Sequence, residues 1–166
     1  MNFISNFIKH ILGKRGNGRH NGEFLYTIGY EGLQVEDFVN RLKENNVKVL
    51  ADVREIPLSR KKGFSKSQIE NAVNQQGIKY IHLKKLGSPS ALRKEVKKNG
   101  DYEQFFDEYE GYLETQKEEL RSLLNLVENT ICCLMCFEKD VGVCHRKIIA
   151  SEVKRIDRNG LQVVHL

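Results

Sequence analysis

The chain has no apolar run near the roughly 20 residues that a membrane-spanning helix needs. Its first apolar stretch has a helical period and no small-residue cleavage site follows it, so we expect no secretory signal. Of its 166 residues, 40% are hydrophobic and 30% are charged. This length and composition predict a soluble, cytoplasmic protein with one folded domain.

The cysteines lack the spread of a disulfide framework. Three of the four, Cys132, Cys133 and Cys136, lie within five residues of each other. We therefore expect reduced thiols, as in cytoplasmic proteins. Only one Cys-x-x-Cys pair is present, and it lies within an apparent strand that directs Cys133 and Cys136 to opposite faces. A structural zinc site of the usual kind is therefore not predicted.

Two common nucleotide-binding motifs are also missing. The stretch Gly29-Tyr30-Glu31-Gly32 has neither the G-x-G-x-x-G pattern nor the Gly-Lys-Ser/Thr ending of a P-loop. NAD and ATP binding in their usual forms are therefore not expected, and the identity of any cofactor stays unknown. The segment from Cys136 to Arg146 does not have the short Cys-x5-Arg loop that a resemblance to cysteine phosphatases would require.

Acidic residues are absent from the first 22 positions, which contain four basic residues. These positions therefore carry most of the chain's net charge of +5. Within them, residues 3–12 place six apolar side chains on one helical stripe, and residues 13–22 have the composition of a flexible basic linker. We expect residues 1–22 to form an amphipathic basic helix and linker, and residues 23–166 to form the folded domain. The helix could dock on a partner, support a homodimer or bind an anionic membrane surface.

From residue 23 onward, short apolar runs alternate with helical periodicity. This alternation predicts an α/β protein with a three-layer Rossmann-like or flavodoxin-like fold, and a mostly parallel sheet of about five strands. Predicted strands cover residues 24–29, 47–53, 78–83, about 131–137 and 161–166. Predicted helices cover residues 35–43, 65–75, 101 to about 127, and about 144–156, and Gly111 could bend or divide the third of these.

Polar and reactive residues follow several of these strands. Tyr30 and Glu31 follow the first strand, and Asp52 and Arg54 end the second. The second strand leads into a basic loop that contains Ser59 and Arg60, and the fourth leads to Cys136, Glu138 and the triplet Cys144-His145-Arg146. Because ligands of open parallel sheets bind at the carboxyl ends of the strands, we expect these residues to form one site.

These segments also resemble a known family. Thr27-Ile28-Gly29-Tyr30-Glu31, Asp52-Val53-Arg54 with Pro57-x-Ser59-Arg60, Phe64, Leu86-Gly87, and Cys136-x-Glu138 with Cys144-His145-Arg146 are similar to the motifs of domain-of-unknown-function family 488. The resemblance covers about residues 24–166. It implies a cytoplasmic α/β protein, and an enzymatic role linked to nucleotides or nucleic acids.

We assign candidate roles by side-chain chemistry. Thiols, carboxylates and an imidazole are suited to nucleophilic and acid–base catalysis, and the catalytic candidates are Glu31, Asp52, Cys136, Glu138, Cys144 and His145. Guanidinium groups can bind anions, an aromatic ring can stack on a base, and the substrate-binding candidates are Tyr30, Arg54, Ser59, Arg60 and Arg146. An ion pair between Asp52 and Arg54 would orient the guanidinium.

Three functions remain open at this stage. The first is an enzyme acting on an anionic substrate, which could be a nucleotide, a nucleic acid or a sugar phosphate, through a thiol or a carboxylate. The second is a non-catalytic module that binds a nucleotide or nucleic acid on the same basic edge. The third is a zinc site built from Cys136, Glu138, Cys144 and His145; adjacent ligands are unusual, so the assignment above includes no metal ligand.

Overall fold

The structure, a computed structural model, describes residues 23–166. The predicted amphipathic helix and linker of residues 1–22 therefore lie outside the described residues. Within residues 23–166, no helix is both long enough and apolar enough to cross a membrane.

Five strands form one sheet in the order β3-β2-β4-β1-β5, and every neighbouring pair is parallel. The strands are β1 (Phe24–Gly29), β2 (Val49–Asp52), β3 (Lys79–His82), β4 (Cys132–Cys136) and β5 (Gln162–His165). Both β2 and β4 are buried along their whole length, which explains their continuous apolar sequences. The predicted parallel sheet of five strands is confirmed. The order differs from the Rossmann order 3-2-1-4-5-6 because β4 lies between β1 and β2.

Helices cover both faces of this sheet. They are α1 (Val35–Glu44), α2 (Lys66–Asn74), α3 (Ser90–Asn99), α4 (Tyr102–Glu114), α5 (Lys117–Asn129) and α6 (Arg146–Ile156). Apolar residues of α1 and α2 pack on one face, and those of α4, α5 and α6 pack on the other. The predicted three-layer α/β architecture is therefore confirmed.

The alternation of side chains along β4 divides the core into two clusters. Cys132, Leu134 and Cys136 face the α4–α6 side, whereas Cys133 and Met135 face the α1–α2 side. This separation places Cys136 apart from Cys133, as the strand periodicity predicts. The two cysteines of the Cys-x-x-Cys pair therefore cannot act together as one chelating or redox pair.

The helical region after β3 differs from its prediction. Sequence periodicity predicts one helical stretch over residues 101 to about 127, bent or divided at Gly111, but Gly111 lies inside α4 and the helix is interrupted at Thr115 and Gln116. The Thr115 hydroxyl donates to the carbonyl of Tyr112, a local bond that competes with helix continuation. Helix α3 has no fully buried residue, and its apolar residues one turn apart, Leu92 and Val96, form too short a stripe to predict a helix.

Two glycines allow loops at the carboxyl ends of the strands to approach each other closely. A Cβ atom on Gly29, at the end of β1, would overlap the backbone carbonyl of Glu138 after β4. A Cβ atom on Gly87 would overlap the backbone nitrogen of Glu55 after β2. Larger residues at these two positions would force the loops apart.

The close approach at Gly29 gives a stability prediction. Replacement Gly29→Ala should lower the free energy of unfolding by about 1–3 kcal/mol, because the neighbouring backbone must move to admit the methyl group. Urea unfolding followed by circular dichroism measures the change. Gly111→Ala is the matched control: no atom beyond its chain neighbours and the adjacent backbone of its own helix lies within 4 Å of the added Cβ, so it should stabilise α4 by about 0.5–1 kcal/mol. Equal effects of the two substitutions would contradict this account.

Candidate functional site

A cavity of about 840 Å³ lies at the carboxyl ends of β1, β2 and β4. Its position follows from the topology: β1 and β2 lead into helices on one face, and β4, between them, leads into α6 on the opposite face. Helix α3 and the start of α4 contribute the remaining wall. The lining residues are Tyr30, Arg54, Glu55, Ile56, Leu58, Ser59, Arg60, Lys61, Arg93, Val96, Lys97, Tyr102, Phe105, Cys136, Phe137, Glu138, Val143 and His145.

A buried ion pair between Asp52 and Arg54 forms the base of this region. Asp52 is fully buried and accepts hydrogen bonds from Arg54 at Nε (2.8 Å) and Nη2 (2.5 Å). The Tyr80 hydroxyl, on β3, donates to the same carboxylate at 2.7 Å. Burial raises the pKa of Tyr80, and the neighbouring Asp52 charge raises it further. The predicted ion pair is present, and Asp52 lies outside the lining of the cavity.

Arg54 uses its remaining donors to hold two other segments. Its Nη1 donates to the Tyr30 hydroxyl and to the backbone carbonyl of Phe64, each at 2.9 Å. The rings of Tyr30 and Phe64 stack with centroids 4.5 Å apart. Burial alone would lower the pKa of Arg54, but its bonds with Asp52 and Tyr30 raise it, so the guanidinium is cationic. Tyr30 is itself nearly fully buried, so its ring supports the wall and has little surface for base stacking.

The reactive side chains meet beside the end of β4. The Cys136 thiol lies 3.1 Å from Glu138 Oε2 and 3.8 Å from His145 Nδ1. The Cys144 thiol interacts with both Cys136 and His145. Cys136, Glu138 and His145 line the cavity, whereas Cys144 is 1% exposed and lies behind them. Four of the predicted catalytic residues are therefore brought together.

A backbone carbonyl determines the tautomer of His145. Its Nε2 lies 2.8 Å from the carbonyl oxygen of Val53, which can only accept, so Nε2 carries the proton. In the neutral ring, the lone pair of Nδ1 then faces the thiols of Cys136 and Cys144. The ring also makes an edge contact with Tyr109, at 5.2 Å between centroids.

Burial and mutual contacts change the acidities within this cluster. Burial raises the pKa of the Cys144 thiol well above its usual value, and the contact with Cys136 raises it further. Burial alone would raise the pKa of Glu138, but its contacts with Cys144 and Cys136 lower it overall. Burial alone would lower the pKa of His145, but its contact with Cys144 raises it overall. The raised pKa makes the Cys144 thiol less acidic than a free cysteine, which disfavours it as a nucleophile in this arrangement.

Arg146 and Glu31 hold the loop that follows β4. Arg146 is 1% exposed, and its guanidinium donates to the carbonyls of Glu138 at 2.5 Å and Lys139 at 3.0 Å. Glu31 accepts a bond from the Lys139 backbone N–H at 3.0 Å. Neither side chain lines the cavity. Their predicted roles in anion binding and catalysis stay predictions, and the observed contacts are those of loop-positioning residues.

The basic loop after β2 forms part of the rim of the cavity. Ser59 and Arg60 line the cavity, as does Lys61. The hydroxyl of Ser65 donates to the carbonyl of Ser59, and the hydroxyl of Ser59 accepts from the backbone N–H of Lys61. The Lys61 ammonium lies 6.0 Å from the centre of the Phe64 ring. These contacts position cationic side chains at the cavity mouth.

Sequence patterns missed the wall that α3 and α4 contribute. Arg93 forms an ion pair with Glu55 at 2.8 Å, which joins α3 to the loop after β2. Lys97, Tyr102 and Phe105 complete this wall. The exposed surface of α3 has no apolar period, and the aromatics at the start of α4 have the spacing of ordinary core residues. No sequence signal distinguishes these residues as parts of a site.

The buried ion pair gives a second stability prediction. Asp52→Asn should destabilise the fold by about 3–5 kcal/mol, because it leaves the buried Arg54 charge without its partner. Chemical unfolding measures the loss. The double variant Asp52→Asn with Arg54→Met should recover part of it, since no unpaired charge remains. The exposed pair of Glu114 and Lys117 provides a control, and Lys117→Ala should have little effect on stability because solvent screens this pair. A loss for Asp52→Asn as small as that control would contradict the account.

Comparison with known proteins identifies the family. No match was found among curated proteins or among solved structures. A family model described as Domain of unknown function DUF488 matches residues 34–153. The matched stretch contains the Asp52–Arg54 motif, Leu86-Gly87 and the Cys136–Arg146 segment, and it begins just after the Tyr30-Glu31 motif. Because this match covers more than half of the chain, the protein belongs to the DUF488 family.

Proposed function

We propose that this protein is an enzyme that acts on a small anionic substrate, and that a nucleotide is the substrate class that best fits the cavity. One observation carries the proposal: a single cavity joins a cationic rim, exposed aromatic surface and a cluster of thiol, carboxylate and imidazole groups. Its volume of about 840 Å³ is typical of small-molecule sites.

The charge of the rim supports an anionic substrate. Five basic side chains line the cavity, and two of them, Arg54 and Arg93, pair with Asp52 and Glu55. The other three have no carboxylate partner among the described residues; they are Arg60, Lys61 and Lys97. Together they provide a positive field at the cavity mouth that favours phosphate groups.

Aromatic surface next to the rim supports a planar group on the substrate. Tyr102 is 41% exposed and Phe137 is 42% exposed, and both line the cavity. A flat heterocyclic base could stack on either ring, an interaction that contributes about 1–3 kcal/mol per base. A nucleotide combines such a base with the phosphate that the rim favours.

The reactive groups beside the end of β4 are the argument for a catalytic function. Cys136, Glu138 and His145 line the cavity, and their side chains are within hydrogen-bond range of one another or close to it. Buried groups of this kind are costly in a purely structural role. Their common exposure to one cavity therefore favours a hydrolase or transferase, with reaction at this end.

The cationic rim can be tested by binding. Isothermal titration against a panel of nucleoside 5′-monophosphates should show binding to the wild-type protein, with affinity that falls as salt rises. Lys61→Ala and Lys97→Ala should each weaken binding by about fivefold, as the loss of about 1 kcal/mol of charge attraction implies. Their chain neighbours Lys62 and Lys98 are exposed and do not line the cavity, so Lys62→Ala and Lys98→Ala are matched controls. Equal losses in all four variants would reject a site-specific rim.

Catalysis requires a separate measurement. We expect chromatography to detect turnover of a nucleotide that binds, and Glu138→Gln should lower kcat by about 100-fold or more with KM nearly unchanged. Glu95→Gln, on the exposed surface of α3 outside the cavity, is the control. If nucleotides bind in a rim-dependent manner but none is turned over, the alternative of a non-catalytic binding module replaces the enzyme.

A further inference from the structure

Three side chains of the reactive cluster have the arrangement of metal ligands. Sulfur atoms of Cys136 and Cys144 and a ring nitrogen of His145 all lie within 4.8 Å of one another. All three residues are buried. Glu138 lies beside them, with Oε2 at 3.1 Å from the Cys136 sulfur.

The spacing of these atoms is close to what one tetrahedral ion needs. With zinc bonds of about 2.3 Å to sulfur and about 2.1 Å to nitrogen, tetrahedral angles place sulfur and nitrogen about 3.6 Å apart. The distance from Cys136 Sγ to His145 Nδ1 is 3.8 Å. Small side-chain adjustments would therefore bring the ligands to zinc-binding geometry.

The surroundings of His145 match those of a metal-binding imidazole. Its Nε2–H donates a hydrogen bond to the carbonyl of Val53 at 2.8 Å, which leaves the lone pair of Nδ1, on the side of the thiols, available to a metal ion. Metal-bound histidines almost always donate their second ring N–H to a carbonyl or carboxylate, which fixes the ring orientation.

The backbone at the helix start explains how two adjacent residues can both bind the same ion. Cys144 is extended, with φ −119° and ψ 134°, whereas His145 is helical, with φ −59° and ψ −19°. Because the backbone changes conformation between them, the two side chains converge. This convergence removes the objection that neighbouring residues in a regular element would point apart.

We propose that Cys136, Cys144 and His145 bind a zinc ion, whose fourth ligand position is directed toward Glu138 and the cavity. Two thiolates and an imidazole are a donor set that selects zinc over hard cations such as magnesium. Three protein ligands with one open position are typical of catalytic zinc sites. The zinc ion would also supply the positive charge that holds buried thiols as thiolates.

Zinc binding itself does not depend on the nature of the substrate. Only the idea that the ion serves catalysis rests on the proposed function. The two proposals can therefore fail separately: rim variants such as Lys61→Ala should keep their zinc, and loss of nucleotide binding would leave the metal content unchanged.

Metal analysis of the purified full-length protein tests the site. After reconstitution with zinc under reducing conditions and removal of excess metal, mass spectrometry should find about one zinc ion per chain. Cys136→Ser, Cys144→Ser and His145→Ala should each lose most of it. Cys133→Ala is the matched control, since Cys133 is buried on the same strand but faces the opposite core cluster. Its zinc content should equal that of the wild type.

Cobalt substitution keeps the test valid if the variants fail to fold. The wild-type protein loaded with Co²⁺ should show thiolate-to-metal charge-transfer bands and the intense visible bands of a tetrahedral ion. A wild-type protein without stoichiometric zinc and without these bands would overturn the proposal. Zinc retained equally by all three ligand variants, or a Cys136–Cys144 disulfide in place of metal in the reconstituted protein, would overturn it as well.

Discussion

The buried pair of Asp52 and Arg54 is the interaction on which the geometry of the site depends. The Asp52 carboxylate binds one edge of the guanidinium through two hydrogen bonds, and the guanidinium in turn holds Tyr30 and the backbone at Phe64. These contacts connect the ends of β1 and β2 with the basic loop and, through Tyr80, with β3. Because burial makes an unpaired charge costly, these segments are held in one arrangement.

Around this pair, close backbone approaches bring the reactive groups to the cavity. Gly29 lets the end of β1 pass beside Glu138, and Arg146 holds the carbonyls of the same loop from the other side. Cys136, at the end of the central strand β4, then faces His145 at the entrance of α6. The cluster is thus positioned by rigid elements on both sides, which suits a catalytic or metal-binding role better than a mobile loop would.

Much of this site could be located from the sequence, because parallel strands place their carboxyl ends at one edge. That rule was sufficient to group Tyr30, Arg54, Arg60, Cys136 and His145. It could not separate residues that face the cavity from those that support it. Arg146 has the chemistry of an anion ligand, yet its guanidinium is directed to backbone carbonyls. A sequence shows which groups are present but gives no information on which hydrogen bonds they already make.

The sequence by itself determined the alternation of strands and helices, the family, and the edge of the sheet where chemistry is concentrated. Local periodicity and strand direction are sufficient for the elements and for the edge of the sheet, and the resemblance of short motifs is sufficient for the family; each is read from residues close together in the chain. Only the tertiary structure decided that α3 contributes Arg93 and Lys97 to the cavity, and that Cys144 lies behind Cys136. Both depend on contacts between segments distant in sequence, which no local pattern records.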